Sequence, residues 1–406
     1  MTARVERPKV TARVERPKVT ARVGPPKVTA RGLAITALVA AEEGERANLV
    51  VPRLLSGSGL DERDRGFVTE LAYGTLRMCR ACDWLVGQFA RGELEPVVRA
   101  AARAGAYQLA FMRVPAYAAV SATVSEAPPR ARSLLNAVLR RVAALVEAGP
   151  LAWPDLGTRL SYPDWVIKRL GEDLGPERAM GALDQMNIAA SQTIRADGYT
   201  QDPGSQAVAE HMAELMNSHP GAVLDVCAAP GGKATLLAGS SAFVVGADVA
   251  LARARQVADN AERLGLRNLP VVVADGTDPP FRAARFAGVL VDAPCSGLGA
   301  LRRRPDARWR IRPEDVGRLA ALQRRLLGPA AGLVAPGGVL VYSVCTLTRA
   351  ETVDVGGWLA DELRSGWEVL GPPGPPWEPH GRGALLLPQA AGTDGMYLSA
   401  YRRQAA

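Results

Sequence analysis

The chain contains the stretch Val291-Asp292-Ala293-Pro294-Cys295-Ser296-Gly297, followed fifty positions after Cys295 by a second cysteine in Ser343-Val344-Cys345-Thr346. Each cysteine follows an apolar run, at residues 288–291 and 339–342, that is typical of a short buried strand. Adjacent parallel strands would bring both thiols to one edge of a sheet, where open α/β sheets bind their ligands. Two thiols beside an acid at that edge indicate covalent chemistry on an electron-poor ring.

Short apolar runs alternate with helical segments over the C-terminal half of the chain. Helical spacing covers residues 251–264 and 319–333. This alternation predicts a Rossmann-like, doubly wound, mostly parallel sheet in a domain spanning residues 198–406. The apolar runs lie at residues 223–226, 243–247, 271–274, 289–291 and 339–342.

The N-terminal half has a different pattern. From Gly32 to about Ala148 the apolar residues recur at helical spacing without useful β alternation, which predicts an all-α domain over residues 32–148. Prolines then mark a connector at residues 149–197, with short helices expected between Trp165 and Met186.

The first 31 residues form a basic tail built from a nonapeptide repeat, which starts at Thr2, Thr11 and Thr20. A proline in every unit and the lack of an apolar face predict no packed fold. The tail carries nine lysines and arginines against two glutamates, so most of the net charge of +8 resides there. Two interpretations stay open: an arm that touches RNA phosphates, or a duplication without a role.

Composition narrows the class of protein. At 406 residues the chain can form two or three domains, and its five cysteines fit reduced thiols better than a disulfide framework. No apolar run approaches the roughly 20 residues that span a bilayer. We therefore expect a cytoplasmic monomer without membrane contact. We expect no metal site, since the three histidines lie away from the cysteines and Cys79 and Cys82 form only a single CxxC pair.

The predicted strand ends carry residues suited to an adenosine ligand. A turn of small residues runs from Cys227 to Lys233, and Asp248 and Asp275 follow the next two strands. Neither a phosphate-binding P-loop nor a nicotinamide-type glycine pattern is present, which favours S-adenosylmethionine. The expected cofactor-binding residues are Cys227, Ala228, Ala229, Pro230, Gly231, Gly232, Lys233, Asp248, Arg253, Asp275 and Asp292.

These motifs carry a family resemblance. The segments at residues 225–233, 292–297 and 342–346 resemble the Sun/NOP-type RNA cytosine-C5 methyltransferases. The N-terminal segments at residues 70–77, 105–109 and 136–141 resemble the NusB-like RNA-binding domain. The resemblance covers about residues 32–403 and implies an enzyme that methylates cytosine C5 in RNA, most of all small-subunit (16S) rRNA, with S-adenosylmethionine as the methyl donor.

The resemblance also implies roles for four residues. Cys345 would be the nucleophile that adds to cytosine C6, and Cys295 would assist its release. Asp292 would bind the N3/N4 edge of the base and stabilise the activated ring. Lys233 would position the base or lower a thiol pKa.

An arginine-rich run follows the Cys295 turn, at residues 301–312. Its place beside the site favours contact with RNA phosphates and bases over a solvated charged loop. The expected RNA-binding residues are Arg302, Arg303, Arg304, Arg308 and Trp309.

Two departures from the family pattern stand out. Residues 193–197 run almost directly into residues 198–202, so the RRM-like segment usual between them is shortened. Residues 349–352 replace the usual acidic and asparagine cluster, and we assign no catalytic role there. Three alternatives remain open: a tRNA methyltransferase, a DNA-type enzyme using the thiol after the fourth strand, and a non-enzymatic NusB-like RNA-binding or antitermination factor.

Overall fold

The computed structural model describes residues 28–405, except residues 113, 241, 242 and 364. The repeats predicted to be an unpacked tail fall almost wholly at residues 1–27, outside the described residues. The first helix begins at Ala30, slightly before the expected start of the helical domain, and the Thr29 side chain caps it by accepting from the Gly32 amide.

The N-terminal domain is all-helical, as predicted. Its apolar residues form one core, and its helices pack closely enough that a Cβ on Gly105 would lie 2.5 Å from Leu139. Its helices are α1 (Ala30–Glu42), α2 (Ala47–Ser56), α3 (Glu62–Arg77), α4 (Cys79–Gly87), α5 (Pro96–Ala110), α6 (Ala116–Glu126) and α7 (Arg132–Glu147), with a 3-10 turn at Pro129–Ala131 before α7.

The connector is part of the C-terminal core and not a spacer between domains. It forms α8 (Leu156–Leu160), α9 (Asp164–Leu174) and α10 (Pro176–Met186). Tyr162 and Leu170 are fully buried in the same core as the sheet residues Val289 and Leu340. Because the connector packs against the sheet and is not a flexible linker, it fixes the N-terminal domain to the sheet.

The C-terminal domain alternates strands and helices. Helix α15 begins with Pro313 in its first turn, which suits a residue without an amide hydrogen. The elements are α11 (Pro203–Met216), β1 (Ala222–Asp225), α12 (Gly232–Ser240), β2 (Phe243–Asp248), α13 (Leu251–Arg263), β3 (Val271–Val273), β4 (Phe286–Asp292), α14 (Ala307–Arg310), α15 (Pro313–Leu333), β5 (Val334–Val344), a 3-10 turn (Arg349–Glu351), α16 (Val353–Leu363), β6 (Trp367–Val369), β7 (Glu378–His380), β8 (Gly383–Leu386), α17 (Pro388–Ala391) and β9 (Met396–Arg403).

The sheet has the order β3-β2-β1-β4-β5-β9-β8-β7, and β6 pairs with β9. Strands β1 to β5 run parallel to one another, and separate apolar cores cover the two faces of the sheet. The doubly wound prediction is confirmed. The pairing of β4 with β5, which was expected from the two cysteine motifs, is confirmed as well, with Asp292 opposite Ser343.

The sequence patterns did not predict the antiparallel strands that extend the sheet beyond β5. Strands β6 to β9 add an antiparallel region, with β9 paired along β5 from Tyr397 to Arg402. Strands β6 and β7 have only three residues each, too few for an alternation to be recognised. Within the described part of the chain, no helix combines the length and apolarity that crossing a membrane requires.

Candidate active site

The two cysteines that follow β4 and β5 meet at the sheet edge. The sulfur atoms of Cys295 and Cys345 lie 3.3 Å apart, within hydrogen-bond distance for thiols. The turns that carry them are joined by the amide of Gly299, which donates to the carbonyl of Cys345 at 3.0 Å. A Cβ on Gly299 would lie 2.2 Å from the carbonyl oxygen of Gly395, so only glycine permits this approach.

The surroundings of the two thiols push their pKa values in opposite directions. A hydrogen bond from Cys295 lowers the pKa of Cys345 against the effect of burial, and the positive charges of Arg304 and Lys233 add to the decrease. The pKa of Cys295 is raised by its bond to Cys345, by burial and by the negative charge of Glu351. The environment thus favours Cys345 as the thiolate and Cys295 as the proton donor.

Lys233 and Asp292 form an ion pair beside the thiols. Lys233 Nζ donates to Asp292 Oδ2 at 2.7 Å and to Ser205 Oγ at 3.0 Å. Gln201 Nε2 donates to the same Ser205 oxygen at 3.1 Å. Burial opposes the charge of Lys233, but the carboxylate of Asp292 outweighs it and holds the pKa of the lysine above its ordinary value. The ammonium therefore stays charged next to the sulfur atoms.

The glycine-rich turn between β1 and α12 adopts a backbone that requires glycine, with a φ of +110° at Gly231. A short hairpin before α11 supports this turn. Arg195 donates to the Gly232 carbonyl at 2.7 Å, and the Tyr199 hydroxyl donates to the Pro230 carbonyl at 3.4 Å. The hairpin thus supports the backbone of the glycine-rich turn.

The acids at the ends of β2 and β3 differ in exposure. Asp248 is 3% exposed and accepts from the Ala250 amide at 3.1 Å. Arg253, which is also expected to bind the cofactor, forms an ion pair with Asp248 at 3.2 Å. Asp275 is exposed and accepts from the Thr277 amide and hydroxyl, which lower its pKa.

A further acid at the end of β1, Asp225, received no role from the sequence. It is buried, and burial together with the charge of Asp292 raises its pKa to about 7, against the effect of Lys233. Neighbouring Cys227 packs against the core, and burial and these carboxylates raise the pKa of its thiol. Cys227 is thus a packed residue with an unreactive thiol that supports the turn.

The structure corrects the interpretation of the arginine-rich run. Arg308 is fully buried, stacks on Tyr162 at 3.8 Å from the ring centroid, and donates to the carbonyls of Arg77 and Ser161. Trp309 Nε1 donates to the Leu76 carbonyl at 2.7 Å. These side chains join the two domains, and the fully buried Arg308 is not available to RNA.

Two further arginines of the run also bind within the protein. Buried Arg302 donates to the carbonyls of Ile188 and Gly392. Arg303 donates to Asp202 at 2.8 Å and forms an ion pair with Asp394 at 3.3 Å. Only Arg304, among the five residues expected to bind RNA, has an exposed side chain.

The segment without an assigned role contains a fully buried acid, Glu351. It lies in the 3-10 turn after β5 and accepts from the amide of Ser296, the residue next to Cys295, at 2.8 Å. The signal for this buried acid in the sequence was a single acidic residue among threonines, directly after β5. Among the described residues no three His, Cys, Asp or Glu side chains are grouped as a metal would need.

Family models match both halves of the chain. Residues 212–402 match the model described as 16S rRNA methyltransferase RsmB/F, and residues 28–144 match the NusB family. The ribosomal RNA small subunit methyltransferase B of Thermus thermophilus is 37% identical over 407 residues, which cover 92% of this chain and 97% of that protein. The protein of the same name from Erwinia tasmaniensis is 29% identical over 420 residues, covering 89% and 96%.

A solved structure shares the fold over nearly the whole length. The crystal structure of PH0851 superimposes with a TM-score of 0.73 at 19% identity, covering 93% of this chain and 99% of that one. At this identity the similarity shows the arrangement of helices and strands alone.

Proposed function

Since the chain belongs to the 16S rRNA methyltransferase RsmB/F family, we infer that it is an enzyme that methylates C5 of a cytosine in small-subunit rRNA. The observation that carries the mechanism is the 3.3 Å separation of Cys295 and Cys345 beside the Lys233–Asp292 ion pair. Two thiols, a carboxylate and an ammonium at one sheet edge are the groups that covalent activation of cytosine needs.

The ends of β1 to β3 fit S-adenosylmethionine as the methyl donor, which supplies an electrophilic methyl group on a sulfonium when bound. Asp248 offers a carboxylate for the ribose hydroxyls, which would take the place of its present partner Arg253. Val249 follows that acid in the chain, Val273 pairs with it in β3, and both expose apolar side chains suited to packing on an adenine. Asp275 would accept from the adenine amino group, and residues 227–233 would line the methionine portion.

The reaction begins with the sulfur of Cys345. As a thiolate it forms a bond to cytosine C6 and pushes electron density onto C5, which then forms the new bond to the methyl carbon while the sulfonium–methyl bond breaks. Asp292 holds the N3/N4 edge of the base, and Lys233 keeps the nearby negative charges balanced. The base has to leave any stacked helix to reach this edge.

Release requires loss of the C5 proton and cleavage of the Cys345–C6 bond. While Cys345 is a thiolate, the hydrogen bond that Cys295 donates to it is the largest cause of the raised pKa of Cys295, followed by burial. Once the sulfur of Cys345 is bonded to carbon, that cause disappears and the pKa of Cys295 falls. Cys295 can then lose its own proton to solvent and accept the C5 proton as a thiolate. The C5–H electrons re-form the C5–C6 double bond, and Cys345 leaves as a thiolate when its bond to C6 breaks.

The helical domain and Arg304 are the proposed RNA contacts. The helical domain matches the model of the NusB family. The exposed guanidinium of Arg304 lies near the sulfur of Cys345. A phosphate of the bound RNA would pair with this guanidinium next to the extruded base.

Variants of the two cysteines test the mechanism. Cys345→Ala should be inactive because it cannot bond to C6. Cys295→Ala should attack and methylate but stall as a protein–RNA conjugate that survives denaturing electrophoresis and depends on S-adenosylmethionine. Cys79→Ala, in the helical domain, is the matched control and should keep full turnover.

A conjugate in Cys345→Ala and none in Cys295→Ala would exchange the two roles and favour the DNA-type arrangement. Full activity in both variants would refute the covalent mechanism, and absence of any methyl transfer by the wild type would favour the non-enzymatic alternative. Bisulfite sequencing of rRNA and tRNA from a deletion strain separates the two RNA targets.

A further inference from the structure

A buried carboxylate connects the turns that carry the two thiols. Glu351 is 0% exposed, and its Oε1 accepts from the Ser296 amide at 2.8 Å and from Gln323 Nε2 at 3.1 Å. Gln323 Nε2 also donates to the Pro294 carbonyl at 3.0 Å. The backbone on both sides of Cys295 is therefore held by one acid and one amide.

The second oxygen of Glu351 binds hydroxyl groups from both turns. Its Oε2 accepts from Ser296 Oγ at 2.5 Å, from Thr348 Oγ1 at 2.8 Å and from Thr346 Oγ1 at 3.3 Å. Ser296 directly follows Cys295, Thr346 directly follows Cys345, and their hydroxyl oxygens lie 2.7 Å apart. The carboxylate thus bonds to the neighbour of each thiol.

The main chain of Glu351 is fixed from the strand below. The hydroxyl of Tyr342, which is fully buried in β5, donates to the Glu351 carbonyl at 2.7 Å and lies 3.0 Å from Gln323 Oε1. A buried network in which each polar atom has a partner is rigid, because breaking any bond leaves an unsatisfied group away from water.

We propose that Glu351 is a positioning residue for methyl transfer, which holds the turns of Cys295 and Cys345 in the register that keeps their sulfur atoms in contact. It acts through Ser296 and Thr346 and touches neither RNA nor methyl donor. The proposal rests on the covalent mechanism for its effect on turnover, whereas its effect on the distance between the thiols is independent of that mechanism.

The partners of Glu351 distinguish positioning from proton transfer. Oε1 faces two N–H donors and has to be an oxygen, whereas Oε2 faces only hydroxyls, which can accept as well as donate. The amide of Glu351→Gln can therefore satisfy the same partners with its nitrogen toward the hydroxyls. Glu351→Ala leaves the Ser296 amide and Gln323 without their acceptor.

The thiol distance is tested first, in a Cys79→Ala/Cys82→Ala background that removes the other close cysteine pair. Phenylarsine oxide bridges two thiols only when they are adjacent, so the parent and Glu351→Gln should each bind one equivalent tightly. Glu351→Ala should lose the bridged product, while Asp354→Ala, an exposed acid in the following helix, should retain it. Tight bridging in Glu351→Ala would overturn the proposal.

The effect on chemistry is measured as the rate of RNA conjugate formation in the Cys295→Ala background. Glu351→Ala should slow it roughly 100-fold, the order of cost expected for a nucleophile displaced by about 1 Å. Glu351→Gln should stay within a few-fold, and the affinities for S-adenosylmethionine and for RNA should be unchanged in both. Equal loss in Gln and Ala would show a proton-transfer role and overturn the positioning role.

Two further comparisons separate the possible failures. If Cys295→Ala alone forms no conjugate, the covalent mechanism fails while the arsenical measurement still decides the position of the thiols. If Glu351→Ala does not fold, Ser296→Ala removes a single hydroxyl of the network and should still reduce bridging and conjugate formation. Unchanged values for a folded Ser296→Ala would then contradict the proposal.

Discussion

At the scale of single residues, the hydrogen bond between the two thiols and the charges around them decide which thiol reacts. Arg304 and Lys233 lower the pKa of Cys345, while Asp292 raises the pKa of both thiols and Glu351 raises that of Cys295. Two chemically identical side chains in contact thus acquire different pKa values from their surroundings.

The pH dependence of alkylation tests this difference. Because the pKa of Cys345 is lowered from 9.0, its reaction with iodoacetamide should rise with pH through a midpoint below that value, followed by mass spectrometry of its peptide. Cys295→Ala removes the hydrogen bond that contributes most, so the midpoint should move to higher pH. Cys227, whose pKa is raised, is the internal comparison and should react only in more alkaline solution.

A midpoint for Cys345 at or above 9.0, or an unchanged profile in Cys295→Ala, would contradict the assignment of Cys345 as the thiolate. S-adenosylmethionine binding by the variant shows that it remains folded.

At the scale of elements, the parallel strands align four acids at one edge. Asp225 and Asp292 lie at the ends of β1 and β4, Asp248 lies at the end of β2, and Asp275 follows β3. Because parallel strands share one direction, their carboxyl ends gather these side chains without any long-range signal in the sequence. Asp248 is buried at this edge and is the acid proposed to hold the ribose of the methyl donor.

Asp248→Ala should weaken S-adenosylmethionine binding by about 2 kcal/mol, the order of one charge-assisted hydrogen bond, as measured by calorimetry. The exposed Asp259→Ala in α13 is the matched control and should bind as the wild type does. Unchanged affinity in Asp248→Ala would remove Asp248 from the cofactor site.

At the scale of the whole molecule, the arginine-rich segment after β4 holds the two domains together. The last carbonyls of α3, on Leu76 and Arg77, accept from Trp309 and Arg308. Burial lowers the pKa of Arg308 to about 10, which leaves it charged at neutral pH while its carbonyl partners and the ring of Tyr162 stabilise the charge. The helical domain is therefore fixed next to the turn that carries Cys295.

Arg308→Met should lower the free energy of unfolding by roughly 2–4 kcal/mol, because two backbone carbonyls and the Asn187 amide oxygen lose their donor. In urea, the helical domain of this variant should also unfold separately from the sheet domain. Arg318→Met, which removes an exposed ion pair with Asp315, should change stability little. Equal stability of both variants would contradict the role of Arg308 in the interface.

The sequence by itself determined the local features of this protein. The alternation of short apolar runs and helices predicted the parallel sheet, and the two cysteine motifs predicted that Cys295 and Cys345 would meet at adjacent strand ends. Glycine spacing and strand-end acids located the edge that carries the candidate site. These features depend on neighbours in the chain, and a strand direction fixes where its end lies.

Tertiary structure decided what depends on distant partners. A run of arginines normally indicates side chains that face solvent or bind phosphate. Arg308 is buried because the carbonyl of Arg77, 231 residues away, accepts its hydrogen bond and the ring of Tyr162 stacks on it. Glu351 acquired its place only when Ser296, 55 residues away, came beside it. Burial of a charge is favourable only with such partners, and no local pattern records which segments supply them.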